Sequence, residues 1–205
     1  LGRIYPFGKK LYIRNMYHDF FIGVDPGNEK CGMTVLQRGC IIGAWNLEHP
    51  NFYRKISYFL TLGCKIAIED LKPYSVRLTP QVIDTAKFIG ECVYRLRIDC
   101  GATVEMVNRS AVKKWVFDTF PEICVPLIMK KIAKKGQRIA STGEFRRPSF
   151  VYVDDKIIVE AMKFHYKIPK PPPGNGYMYG LKEHSWQALA LASLYYSGCH
   201  KFVTK

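Results

Sequence analysis

Apolar residues fall in two rhythms along this chain. Near the start they come in short dense runs. Phe21 to Val24 closes on Asp25, a second run covers residues 30–37, and a third covers residues 40–47. Runs this short, bounded by turn residues, predict three strands. Gln37-Arg38-Gly39 predicts a hairpin turn between the last two, because glycine tolerates the positive φ that tight turns need. Asn51 to Leu62 then switches to helical spacing, with Phe52, Ile56, Phe59 and Leu60 inward, and Lys65 to Glu69 returns to a strand. Val82, Ile83, Ala86, Ile89, Val93 and Leu96 keep helical spacing over residues 80–96, with Thr79 as N-cap and Pro80 in the first turn. A fifth strand over residues 102–107 precedes a helix that opens at Asn108-Arg109-Ser110 and runs through Phe117. Three strands in succession, then strands alternating with helices, predict an α/β fold with a mixed five-stranded sheet flanked by helices.

Residues 118–150 break this rhythm. Pro121 and Pro126 interrupt the apolar pattern, while Lys130, Lys131, Lys134, Lys135 and Arg138 form a basic cluster on a helix. The stretch Ser141 to Pro148 reads as a loop and adds Arg146 and Arg147. Asp154 or Asp155 caps a further helix with Ile157, Ile158, Ala161, Met162 and Phe164 on its apolar positions. Residues 169–176, with three consecutive prolines, form a stiff turn, and a last long helix runs from about Leu181 to Tyr196. The expected organisation is a basic arm over residues 1–19, one domain over 20–198 with a basic insertion at about 118–150, and a tail over 199–205.

The chain has 205 residues, 48% of them hydrophobic, which is enough for one sizeable core. Thirty-one Lys and Arg stand against 17 Asp and Glu, a formal net charge of +14. That excess points first to nucleic acid as partner, ahead of an anionic membrane surface. The seven cysteines form no CxxC or CxxH pair, so they suggest neither a disulfide scaffold nor a zinc site. They fit a reducing, cytoplasmic setting with most thiols in the core. No apolar run approaches the length of a membrane span.

Against this basic background, two strands end in acid: Asp25 before Pro26-Gly27-Asn28, and Glu69 beside Asp70. An unpaired carboxylate is costly in a dry core. Each is also compatible with an ordinary turn or a solvated strand end. Glu183, His184 and Gln187 cluster at the first turns of the last helix, where the three- and four-residue spacings let either pair share a face. Phosphodiester hydrolysis needs charge stabilisation at both the attacking and leaving oxygens, which two Mg2+ ions about 4 Å apart supply. Mg2+ prefers hard oxygen ligands. The combined set therefore suggests a metal site acting on a polyanion, with Asp25, Glu69, His184, Gln187 and Glu183 as candidate catalytic residues and the first four as metal ligands.

Three segments resemble motifs of the RuvC family of Holliday junction resolvases, within the RNase H-like nucleases. They are Ile22-Gly23-Val24-Asp25-Pro26-Gly27, Ala67-Ile68-Glu69, and Ala188-Leu189-Ala190-Leu191-Ala192. The resemblance covers most of residues 20–198, and its divergence is similar to that of phage or other viral relatives. It implies an RNase H-like fold and a homodimer that nicks four-way DNA junctions symmetrically with Mg2+ or Mn2+. The family's first two acids carry over to Asp25 and Glu69. Its two closing acidic positions fall on His184 and Gln187. Histidine is known at the first; the amide at the second is a departure. Compensation by Glu183, a naturally altered activity and an inactivating substitution are the competing explanations.

Asn28 and Lys30, just past the first strand, are candidates to approach the cleaved phosphate. Lys72, Arg77, Arg109, Lys113 and Lys114 lie where the family binds DNA, and Tyr74 falls where relatives place an aromatic at the junction centre. Lys130, Lys131, Lys134, Lys135, Arg146 and Arg147 read as an added DNA grip or as a solvated face. The helix over residues 80–96 is the candidate dimer element. Two rival functions remain open: a nuclease for RNA–DNA hybrids or flaps, and an inactive junction-binding protein.

Overall fold

In the computed structural model, β1 (Phe20–Asp25), β2 (Lys30–Gln37) and β3 (Cys40–Glu48) form an antiparallel meander. Next come α1 (His49–Leu60), β4 (Lys65–Asp70), α2 (Pro80–Tyr94), β5 (Thr103–Asn108) and α3 (Arg109–Thr119). The chain continues through α4 (Pro121–Lys134), α5 (Asp155–His165) and α6 (His184–Lys201). The described residues are 20–71, 79–134, 148–172 and 176–201. The expected N-terminal arm, Lys72, Tyr74, Arg77, Lys135, Arg138, Arg146 and Arg147 lie outside them, as do the side chain of Lys134 and the end of the tail.

The sheet order is β3-β2-β1-β4-β5, with β1, β4 and β5 parallel. This is the mixed five-stranded sheet expected. Arg38 and Gly39 both have positive φ, 51° and 79°, and Gln37 pairs with Cys40, so the hairpin closes through a two-residue turn of the kind that matches strand twist.

Strand alternation divides the interior into two layers. Ile22, Val24, Met33, Val35, Ile66 and Ile68 face α1 and α2 and pack on Phe52, Ile56, Phe88 and Cys92. Phe21, Leu36, Ala67 and Val107 point the other way, into a core shared with α3, α4, α5 and α6. By the same two-residue period, Asp25 and Glu69 fall on the α6 side of the sheet.

Several boundaries differ from expectation. The first helix starts at His49 because Pro50 occupies its first turn, where the absent N–H has no partner to lose. α2 gives way at Arg95–Asp99 to a wider π-helical turn, with Arg97 donating two hydrogen bonds to the Val104 carbonyl. Pro121 and Pro126 do not break the chain: Pro121 opens α4 and Pro126 lies within it. An internal proline costs a helical bond, and burial of Cys124, Ile128 and Ile132 offsets that loss. The last helix starts at His184 rather than near Leu181, since Glu183 has a left-handed φ of 42°.

α6 lies directly against the sheet. A Cβ on Gly23 would come 2.0 Å from the Ala188 carbonyl oxygen, and one on Gly32 would come 2.3 Å from the carbonyl of His184. Only bare backbone permits such an approach. Thr34 Oγ1 donates to the Ser185 carbonyl at 2.9 Å, fixing the helix start over β2. Gly32 is the register partner of Asp25, so this contact brings His184 to the end of β1.

Candidate active site

The three parallel strands end together. Asp25 closes β1, Glu69 is the penultimate residue of β4, and Arg109 follows β5 as the first residue of α3. In such sheets, ligands bind beyond the carboxyl ends of the strands. Here an open cleft of about 600 Å³ lies there, lined among others by Asp25, Arg109, Asp155, His184 and Gln187.

Asp25 is only 5% exposed, and its Oδ2 accepts a hydrogen bond from His184 Nδ1 at 2.8 Å. A carboxylate accepts only, which assigns the shared proton to Nδ1; in the neutral imidazole Nε2 is then the acceptor. This bond raises the His184 pKa above its ordinary value, with partial burial opposing. Nε2 faces the turn after β1, since a Cβ on Gly27 would lie 3.4 Å from it. That turn is held from the other side of the sheet: His49 Nε2 donates to the Gly27 carbonyl at 3.0 Å while its ring stacks on Phe88 at 3.6 Å. Nothing in the sequence pattern singles out His49.

Glu69 sits on the neighbouring strand with its side chain 13% exposed. Burial first, then the nearby Asp25 charge, push its pKa up to about 7, against a lowering by Arg109. Arg109 Nη1 donates to Glu69 Oε1 at 2.8 Å, and its Nη2 bonds Asp155. These partners keep the guanidinium protonated despite the desolvation that works against its charge.

Gln187 lies one turn along α6 from His184. It is 7% exposed, lines the cleft, and its side chain makes no hydrogen bond among the described residues. Glu183 also lines the cleft, but it precedes the helix, and its Oε2 accepts from Asn46 Nδ2 at 3.0 Å. The helical pairing expected for Glu183 and Gln187 is therefore absent.

Two carboxylates and an amide oxygen are the hard donors a cation such as Mg2+ takes, and the imidazole nitrogen adds a softer one. Among the described residues, no three His, Cys, Asp or Glu side chains are already gathered as a cluster, and Glu69 is engaged by Arg109.

Of the other candidates, Asn28 and Lys30 are exposed beside the β1–β2 turn. Lys113 is half-buried and Lys130 exposed, whereas Lys114 pairs with Asp118 at 2.7 Å and Lys131 with Asp154 at 2.8 Å. Asp155 was legible only as a helix cap. Asp154 takes that role, accepting from the Ile157 N–H at 3.1 Å, which leaves the second acid of the doublet to the cleft. Lys156, next in sequence, also lines the cleft.

No family model matches the chain, and no curated protein matches it. Among solved structures it is similar to T. thermophilus RuvC in complex with Holliday junction substrate. The identity is 13%, the match covers 90% of this chain and 97% of that one, and the TM-score is 0.51. A second Thermus thermophilus RuvC structure matches at 14% identity over 89% and 96% of the two chains, with a TM-score of 0.42. At such identity the likeness is one of architecture, and this chain has the RuvC-type, RNase H-like α/β fold.

Proposed function

We propose that this chain is a divalent-metal-dependent endonuclease that resolves four-way DNA junctions, acting as a homodimer. The observation that supports this most is the 2.8 Å contact between Asp25 and His184, beside Glu69 on the adjacent strand, in a cleft at the carboxyl ends of the sheet. The comparison structure's junction substrate and the net charge of +14 favour branched DNA over other polyanions.

In this reading Asp25, Glu69, His184 and Gln187 hold Mg2+ or Mn2+. The bound ion supplies charge stabilisation at the attacking and leaving oxygens. Asp25 orients the imidazole through Nδ1, leaving Nε2 to accept a hydrogen bond from an incoming water or to serve as a ligand. Gln187 contributes an amide oxygen without charge. Glu183, tied to Asn46, shapes the cleft wall. Asn28 and Lys30 approach the phosphate from the β1–β2 turn. Lys113, Lys114, Lys130 and Lys131 contact flanking backbone, Lys114 exchanging its exposed contact with Asp118 for a phosphate and Lys131 its part-buried contact with Asp154. Lys72, Tyr74, Arg77, Lys134, Lys135, Arg146 and Arg147 are further candidates for DNA contact in the same reading. Exposed Ile83 and Tyr94 on α2, with Ile98 just beyond it, offer an apolar stripe for pairing two copies.

The test is parallel cleavage of four-way junctions, RNA–DNA hybrids and flaps with Mg2+ and with Mn2+, using Asp25→Asn as control. Paired nicks in junctions that vanish in the control are expected. Faster cleavage of hybrids, or tight junction binding without nicks in either metal, would replace this reading with one of its rivals.

A further inference from the structure

Arg109 lines the same cleft as Asp25, His184 and Gln187. Asn108 caps α3 by accepting from the Ser110 N–H at 2.9 Å, which fixes the start of the helix carrying Arg109. The guanidinium joins two carboxylates from different elements, Glu69 on β4 and Asp155 on α5, while 36% of its side chain remains exposed. Two of its five N–H donors serve those acids, and three remain for another oxygen ligand.

Gln187 gives a second, independent observation. The residue is more than nine-tenths buried, its side chain makes no hydrogen bond among the described residues, and it lines the same cleft. It brings no charge. The Arg109 guanidinium, in turn, brings a fixed positive charge against two of the carboxylates. Of the acids around the strand ends, Glu69 and Asp155 are both tied to Arg109, which leaves Asp25, bonded to the His184 imidazole, as the carboxylate not held by a guanidinium.

Resting on the nuclease reading above, we propose that the Arg109 guanidinium takes the place of one of the two cations of phosphodiester hydrolysis. The chain takes up a single divalent ion and presents Arg109 to the phosphate. Asp155 is the positioning residue: with Glu69 it fixes the plane of the guanidinium.

The experiment is Mn2+ binding to the full chain without DNA, followed by electron paramagnetic resonance and calorimetry, for wild type, Arg109→Met and Asp155→Asn. One Mn2+ per wild-type chain is expected. Arg109→Met should bind Mn2+ at least about tenfold tighter, because a positive charge beside the site is gone. It should also cleave at least about a hundredfold more slowly, having lost a preorganised cation at the reacting phosphate. Asp155→Asn should keep one Mn2+ per chain while its cleavage falls, which a mere packing role would not separate. Two ions per wild-type chain, or unchanged Mn2+ affinity in Arg109→Met, would overturn the inference. Should Arg109→Met not fold, the wild-type ion count decides alone. Junction cleavage with two bound ions would sink this inference and spare the nuclease. An absence of both Mn2+ binding and cleavage would sink both.

Discussion

Replacing Gly32 with alanine tests how the fold builds the site. The new Cβ would lie 2.3 Å from the carbonyl carbon and oxygen of His184, and ordinary contact begins at 3.4 Å. The obstacle is backbone, so no rotamer relieves it, and the start of α6 must retreat by about 1 Å. The Asp25–His184 bond is 2.8 Å long. A retreat of that size carries it out of hydrogen-bond range. Overpacking of this kind costs about 1–3 kcal/mol, and a hydrogen bond to a charged group contributes about 1.5–3 kcal/mol. Partial relaxation of the helix start and hydration of the freed imidazole bring the expected loss to about 2–4 kcal/mol. For a domain of this size that lowers Tm by roughly 5–15 °C, while most of the native population survives at 25 °C. Cleavage should fall by more than about a hundredfold, since misplacing a reacting group by 1 Å commonly costs that much. Denaturant melts and junction cleavage at 25 °C measure the two effects. A variant that melts within about 0.5 kcal/mol of wild type and nicks at the same rate would refute the claim that bare backbone at position 32 sets the His184 position.

Other perturbations address the charges and the supporting contacts. Glu69 has its pKa raised from its ordinary 4.5 to about 7. Its stabilising contribution is therefore full below about pH 4.5 and lost as pH rises through 7, amounting to at most about 3 kcal/mol. His184, also raised, acts in the same direction. The metal-free protein should then have a lower urea midpoint at pH 8 than at pH 5, with a flatter profile in Glu69→Gln; a steeper fall in that variant would contradict the assignment. Gln187→Asp should change junction cleavage by less than about tenfold, or about 1.4 kcal/mol in the barrier, if Arg109 already supplies the balancing charge. A gain of several orders of magnitude would mean that the site is incomplete as it stands. His49→Ala removes both the Phe88 stack and the bond to Gly27. It should cost about 1–3 kcal/mol in denaturant melts and slow cleavage through a looser turn after Asp25. An unchanged rate would show that the turn needs no such anchor.

The strand runs, their turns and the acid at the end of β1 were legible because they depend on local rules: side chains alternate every two residues, and a carboxylate resists a dry interior. Those rules also placed Asp25 and Glu69 on carriers that became neighbouring parallel strands. They misjudged α4, since whether Pro126 ends a helix depends on how much apolar surface the surrounding core offers to cover it. Only the tertiary structure decided what the charged groups touch. Arg109 reads along the chain as one more basic residue for DNA, yet a fork of N–H donors reaching two elements at once ties it to Glu69 and Asp155. Glu183 and His184 are adjacent in sequence, but a left-handed backbone turn sends one to Asn46 and the other to Asp25. Sequence spacing reports which face of an element a residue occupies. Partners far apart along the chain are chosen by the packing of one element on another, here by two glycines that admit a helix against a sheet.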